Sequence, residues 1–242
     1  MPPRDVFCED SDMNFKYTSS GQRLYQAPAA PVVFVVDGDE ETRNELQALI
    51  RSTGWEAKTA ASAEEFLTQE RATASSCLLV ELELPGSSGL DLQRLVADRT
   101  DLPVIFMARR ADIHATVQAM KGGAFEFLSK PVVPEVLLDS IRAALERSET
   151  ARRHLQQIQA LQERYESLSR REREVMSLLV RGRLNKQVGG ELGISEITVK
   201  AHRGRMMRKM RAASFAELVT MAASLRGDLR ASIGDFAVTI PS

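Results

Sequence analysis

Five consecutive residues, Val32-Val33-Phe34-Val35-Val36, are β-branched or aromatic with no polar interruption. Such a run suits a strand buried on both faces of a parallel sheet. The run ends in Asp37-Gly38-Asp39, and the chain then keeps alternating. Residues 41–52 read as a helix with Leu46, Leu49 and Ile50 on one face, and 55–60 as a weak strand. Ser62-Ala-Glu-Glu opens a short helix with a capping-box pattern. Residues 77–80, 103–107 and 124–128 read as strands. Residues 89–97, 112–121 and 134–147 read as helices, the last with Pro134 at its start. Five strands alternating with five helices form the pattern of a doubly wound parallel sheet.

No Gly or Pro falls between Glu135 and Arg181. Leu155, Ile158, Leu161, Tyr165 and Leu168 recur at helical spacing, so a long connecting helix is expected, continuous with the fifth helix or abutting it. It either packs back on its own domain or forms a short dimerising coiled coil. From residue 169 the chain reads as a compact helical block. Ser169-Arg-Arg-Glu and Ser214-Phe-Ala-Glu are capping boxes. Asn185 and Ser195 are read as helix caps, and Gly182 and Gly193 as stops. The last helix is expected to end near Leu225. The expected architecture is therefore an α/β doubly wound five-stranded parallel sheet joined by a long helix to an all-α four-helix domain. Its expected divisions are a flexible tail over 1–30, the α/β domain over 31–148, a helical linker over 149–167, the helical domain over 168–226 and a loose tail over 227–242.

The charge of the 242 residues sums to −1, but its distribution is uneven. Residues 31–131 hold 10 Lys and Arg against 16 Asp and Glu, a net −6. Residues 170–211 hold 12 against 4, a net +8. An acidic half joined to a basic half is expected when one module meets phosphate and the other does not. No apolar run approaches the length of a membrane span and no signal peptide is evident, so a cytoplasmic protein with no membrane association is expected. Cys8 and Cys77 lack metal-like or C-x-x-C spacing. They read as a free thiol and a buried small hydrophobe in a reducing compartment. His114, His154 and His202 lie in separate helical segments, there is no P-loop, and no catalytic constellation emerges. No enzymatic activity and no metal site are expected.

Two helices separated by a turn at Gly193 make a helix-turn-helix candidate. Its second helix, over 195–209, carries Lys200, His202, Arg203, Arg205, Arg208 and Lys209. Val199, Met206 and Met210 form a stripe that anchors it, leaving 198, 200–201 and 204–205 facing outward. A capped helix with a basic outer face suits the major groove of double-stranded DNA. Leu168-Ser-Arg-Arg-Glu-Arg-Glu-Val-Met, Asn185-Lys-Gln-Val, Glu191-Leu-Gly-Ile-Ser and Thr198-Val-Lys-Ala-His-Arg resemble, in order and spacing, the LuxR-type helix-turn-helix of the FixJ/NarL response regulators. The resemblance covers about residues 167–225. It implies backbone or cap roles for Asn185, Lys186, Ser195 and Thr198, and places Lys200, Ala201, Arg203, Gly204 and Arg205 on the stretch approaching bases. Since Gly204 has no side chain, the base-reading role narrows to Lys200, Arg203 and Arg205. Gly189-Gly190 departs from the family pattern and is expected to soften the first helix of the motif.

Residues 31–148 resemble a receiver domain through Val35-Val36-Asp37-Gly38-Asp39, Leu84-Pro85-Gly86-Ser87-Ser88-Gly89, Gly122-Gly123-Ala124 and Phe127-Leu128-Ser129-Lys130-Pro131. A receiver phosphorylates an Asp, holds Mg²⁺ with an acidic pair, reads the phosphoryl group with a hydroxyl and a Lys, and turns an aromatic residue inward. By this resemblance Glu81 stands at the nucleophile position, Gly38 replaces one of the acidic pair beside Asp37, and Ala108 replaces the hydroxyl. Lys130 and Phe127 are retained. Asp39 lies one residue further along, so its direction is reversed. Mg²⁺ binding and autophosphorylation are thereby in doubt.

Two readings of Glu81 follow. It imitates a phospho-Asp by reaching Lys130, or it is a plain salt-bridge partner in a locked scaffold; the missing hydroxyl at 108 favours the second. The resemblance implies a DNA-binding transcription regulator of the two-component type, a homodimer with a sensor kinase or other regulatory protein as a further partner. The alternatives are a conventional phospho-activated regulator and a module that sequesters a kinase or regulator.

Overall fold

The computed structural model describes residues 29–109 and 113–225 with side chains, and the backbone of 15–17, 23–25 and 226–232. The chain divides into two compact units, Met1–Glu149 and Thr150–Ser242.

In the first unit, β1 (Phe15–Tyr17) and β2 (Arg23–Tyr25) pair antiparallel, so the segment expected as a flexible tail contains two paired strands. Next come β3 (Val32–Val36), α1 (Glu40–Ser52), β4 (Glu56–Ala60), α2 (Ala63–Thr68) and β5 (Ser76–Glu81). A small hairpin, β6 (Glu83–Leu84) with β7 (Ser87–Ser88), leads into α3 (Gly89–Leu95). β8 (Val104–Ala108), α4 (Ile113–Lys121), β9 (Glu126–Ser129) and α5 (Pro134–Glu166) follow. Five strands form one parallel sheet in the order β4-β3-β5-β8-β9. This is the doubly wound sheet expected from the alternation.

The two-residue period of a strand divides the Val32–Val36 run between two cores. Val32, Phe34 and Val36 join Phe66, Leu92 and Phe106 on one face. Val33 and Val35 join Ile50, Leu137 and Ile141 on the other. Cys77 is fully buried there, and burial pushes its thiol up to about 12. The carboxyl ends of β3, β5, β8 and β9 bring Asp37, Glu81, Ala108 and Lys130 to one edge, where open α/β sheets bind their ligands.

Without Gly or Pro to stop it, α5 runs unbroken for 33 residues, so the fifth helix and the linker are one element. Ser148, fully buried in α5, donates to the Asp101 carbonyl at 2.6 Å and accepts from the Ser76 amide at 2.9 Å. It fixes the helix to the amino-terminal edge of the sheet.

The second unit adds α6 (Arg170–Leu179), α7 (Asn185–Leu192), α8 (Glu196–Met210) and α9 (Phe215–Ser232). Their core gathers Leu168, Val175, Leu179, Val188, Val199, Met206, Met210 and Leu218, with Leu161 and Tyr165 of α5 packed against it. Three expectations need correction here. Asn185 is the first residue inside α7; Leu184 is the cap, its amide held at 2.9 Å by the Gln187 side chain. α9 continues to Ser232 rather than ending near Leu225, since Gly227 alone does not stop it; residues 233–242 of the expected loose tail lie outside the described residues. Gly189 is not merely a weak point in α7. A Cβ there would lie 2.7 Å from the Ile194 carbonyl, whereas one at Gly190 would meet open space. The turn of the motif closes on Gly189 because its backbone can be approached, and its carbonyl accepts from the Ile194 amide at 2.9 Å. Gly193, at φ 65°, supplies the left-handed turn.

Candidate nucleic-acid interface and receiver cleft

The receiver-like unit has a cleft of about 560 Å³ at the carboxyl edge of its sheet, bordered by Asp37, Gly38, Asp39, Glu81, Ala108 and Arg109. Lys130 joins two of the carboxylates that border the cleft. Its ammonium donates to Asp37 Oδ2 at 2.7 Å and contacts Glu81 Oε2. Both carboxylates are buried. Burial pulls the Lys130 pKa down, but its bonds to Asp37 and Glu81 outweigh that and hold it above the ordinary lysine value. Asp37 Oδ1 accepts from the Asp39 amide at 2.9 Å, and Glu81 Oε1 from the Leu82 amide at 3.2 Å.

Asp39 is committed elsewhere. One of its oxygens caps α1 by accepting from the Glu41 amide at 3.0 Å, and the other pairs with Arg109 at 2.9 Å. At Gly38 a Cβ would stand 2.8 Å from the Pro85 ring. The Ala108 methyl is buried and offers no hydroxyl. Phe127 lies half-buried against the core, stacked on Phe106 with ring centroids 6.1 Å apart and planes at 21°.

The Mg²⁺ site of receiver chemistry needs convergent, uncommitted oxygens. The residues present do not fit it. Asp37 and Glu81 are spent on Lys130, Gly38 contributes no side-chain oxygen, and Asp39 is turned to Arg109 and the α1 amides. Among the described residues no group of three His, Cys, Asp or Glu is placed to hold a metal.

In the helical unit, α7, a Gly193 turn and α8 form the helix-turn-helix. Ser195 caps α8, accepting from the Thr198 amide at 3.2 Å, and its hydroxyl also bonds the Thr198 hydroxyl at 2.8 Å. Val199, Met206 and Met210 are fully buried. At about 100° per residue, the face opposite Val199 holds Ile197, Ala201, Gly204 and Arg208, with Lys200 and Arg205 at its flanks. All six are exposed.

The structure redistributes the basic residues singled out from sequence. Lys200 is exposed and pairs with Glu196 at 3.1 Å, one turn earlier. Arg203 falls only about 40° from Val199; it is half-buried, with its guanidinium 4.9 Å from the Phe215 ring centre. Lys209 donates to the buried Glu172 carboxylate at 2.7 Å and to the Ser167 carbonyl at 2.9 Å. It therefore joins α8 to α6, a task its charge alone did not reveal. His202 is half-buried, its Nδ1 without a hydrogen-bond partner. Lys186 is exposed at the start of α7, while Asn185 has a buried Oδ1 with no hydrogen-bond partner. Sequence reasoning missed Ile197, 79% exposed on the outward face. The signal was available: an isoleucine two residues before Val199 falls about 160° away from it around the helix.

Residues 33–142 match the response regulator receiver domain, and residues 166–222 match the family described as bacterial regulatory proteins, luxR family. The chain is 44% identical to nodulation protein W of Bradyrhizobium diazoefficiens over 83% of this chain and 88% of that protein. It is 38% identical to the response regulator protein TodT of Pseudomonas putida F1 over 88% and 95% of the two chains. The solved structure of the response regulator StyR is 40% identical, with a TM-score of 0.71, covering 81% of this chain and 99% of that one. The chain belongs to the response regulators that join a receiver domain to a luxR-family DNA-binding domain.

Proposed function

We propose that this response regulator binds double-stranded DNA through α8 as a dimer and regulates transcription without aspartyl phosphorylation of its receiver. The observation that carries this reading is the Lys130 ammonium held between Asp37 and Glu81. A carboxylate at the nucleophile position already occupies the cation that a phosphoryl group would recruit. Glu81 is also one methylene longer than an aspartate, which displaces it from attack geometry. Gly38 and Ala108 remove a metal ligand and a hydroxyl as well.

The stacking of Phe127 on Phe106 supports the version in which Glu81 stands in for a phospho-Asp and holds the receiver active-like, over the locked scaffold that Ala108 favoured. The outward face of α8 and its basic flanks support insertion into the major groove. Two copies on two half-sites a helical turn apart suit a motif of this kind. A sensor kinase or another regulatory protein is then a partner through contact, with no phosphoryl transfer, and the site of action is the cytoplasm. The relatives are regulators, and no catalytic role is proposed for any residue. Gly189 serves the turn of the motif, so its departure from the family pattern gives no support to sequestration of a partner without DNA binding.

The test is footprinting of the full chain on fragments upstream of candidate genes across a salt series. Protected half-sites spaced by about one turn are expected; binding with no sequence preference at any salt contradicts the proposal.

A further inference from the structure

Ile197 sits in the first turn of α8, on the face opposite the buried stripe. A solitary exposed aliphatic residue is ordinary on a protein surface; its position sets this one apart. Its neighbours along the outward stripe are Ala201 and Gly204, and a Cβ at Gly204 would meet nothing within 4 Å. The middle of the face is thus low, which lets the helix axis come close to base edges. Ile197 is the large apolar side chain on that face. Ser195 and Thr198 fix its turn through the cap and their mutual hydroxyl bond.

The major groove offers one apolar mark, the C5-methyl of thymine, and small or apolar side chains read it by contact. Of the basic groups on α8, Arg205 and Arg208 stand exposed on or beside this face, while three others are engaged within the protein. Arg203 rests on Phe215 and Lys209 on Glu172, while Lys200 is shared with Glu196.

We infer that Ile197 is a specificity-determining residue, selecting thymine at one position of each half-site through its 5-methyl group. This rests on the DNA-binding reading above and goes beyond it by naming the group read and its reader. Desolvating one methyl group against an aliphatic side chain corresponds to about fourfold in affinity.

The test is selection from a pool of randomised duplexes with the full chain and with Ile197→Ala, followed by titration of the selected duplex carrying deoxyuridine in place of the conserved thymine. Deoxyuridine lacks only the methyl. The wild-type pool is expected to fix a thymine that the Ile197→Ala pool leaves free. Deoxyuridine is expected to weaken wild-type binding about fourfold and to leave Ile197→Ala within twofold, with circular dichroism unchanged by the substitution. Identical selected sequences together with equal sensitivity to deoxyuridine would overturn the inference. A wild-type pool that enriches no sequence would overturn the DNA-binding reading itself, and the inference with it.

Discussion

Glu81 and Lys130 meet, both shielded from solvent, at the carboxyl edge of the receiver sheet, and Asp37 shares the same ammonium at 2.7 Å. Removing Glu81 leaves Lys130 with Asp37 as its carboxylate partner and, on the proposed reading, removes the charge that stands in for a phosphoryl group. In the active-like account Glu81→Ala therefore weakens operator binding by at least about fivefold, the lower end of ordinary allosteric coupling. A gel-shift titration of the two proteins checks it; unchanged affinity would leave Glu81 as a structural ion pair.

Ser148 carries two buried backbone groups at once, the Ser76 amide and the Asp101 carbonyl. Ser148→Ala strips both of their partner while changing little volume. The receiver is expected to lose about 1–3 kcal/mol. The chain's single tryptophan, Trp55, packs against the receiver core, so its fluorescence in urea reports this unit's unfolding. A midpoint equal to wild type would contradict the assignment.

The ion pair between Lys209 and Glu172 supports the helix-turn-helix. Burial of Glu172 opposes its ionisation, but Lys209 and the Ser169 cap outweigh that and hold its carboxyl below the ordinary 4.5. A group with a depressed folded pKa adds stability above its unfolded value and loses it as the pH falls through the folded one. The helical unit is thus expected to weaken below about pH 4.5, and Glu172→Gln to flatten that slope. Glu172→Ala is expected to cost about 2–3 kcal/mol, near the lower end for breaking a buried pair because Lys209 is partly exposed. Thermal melting by circular dichroism across pH, wild type against variants, is the check.

Adjacent glycines in α7 should respond differently. Gly190 faces open space, so Gly190→Ala should stabilise by up to about 1 kcal/mol. At Gly189 the added methyl meets the Ile194 carbonyl, and the same substitution is expected to forfeit that gain. Amide exchange of α7 in both variants distinguishes them.

Much of this was legible in the sequence because it depends on period. The Val32–Val36 run specified a doubly covered strand, the absence of Gly and Pro after Glu135 specified a long helix, and the 199/206/210 stripe specified which face of α8 is buried. The residues at the sheet's carboxyl edge could be placed because their spacing tracks the strand ends. Long-range pairing was not readable. Nothing local says that Lys209 turns to Glu172, 37 residues earlier, that Arg203 rests on Phe215, or that Ser148 reaches Ser76 across 72 residues. Charge marks a residue as polar and leaves its partner to tertiary packing. Helix ends were also misjudged: Asn185 looked like a cap, but Gln187 supplies the capping group to Leu184.

On the proposed reading the receiver does not switch through aspartyl phosphorylation. The most direct measurement is operator affinity of the full chain before and after incubation with a small phosphodonor and Mg²⁺, with intact mass taken on the same samples. Superimposable binding curves and no phosphoryl adduct are expected. A phosphoryl adduct accompanied by a shifted affinity would contradict it.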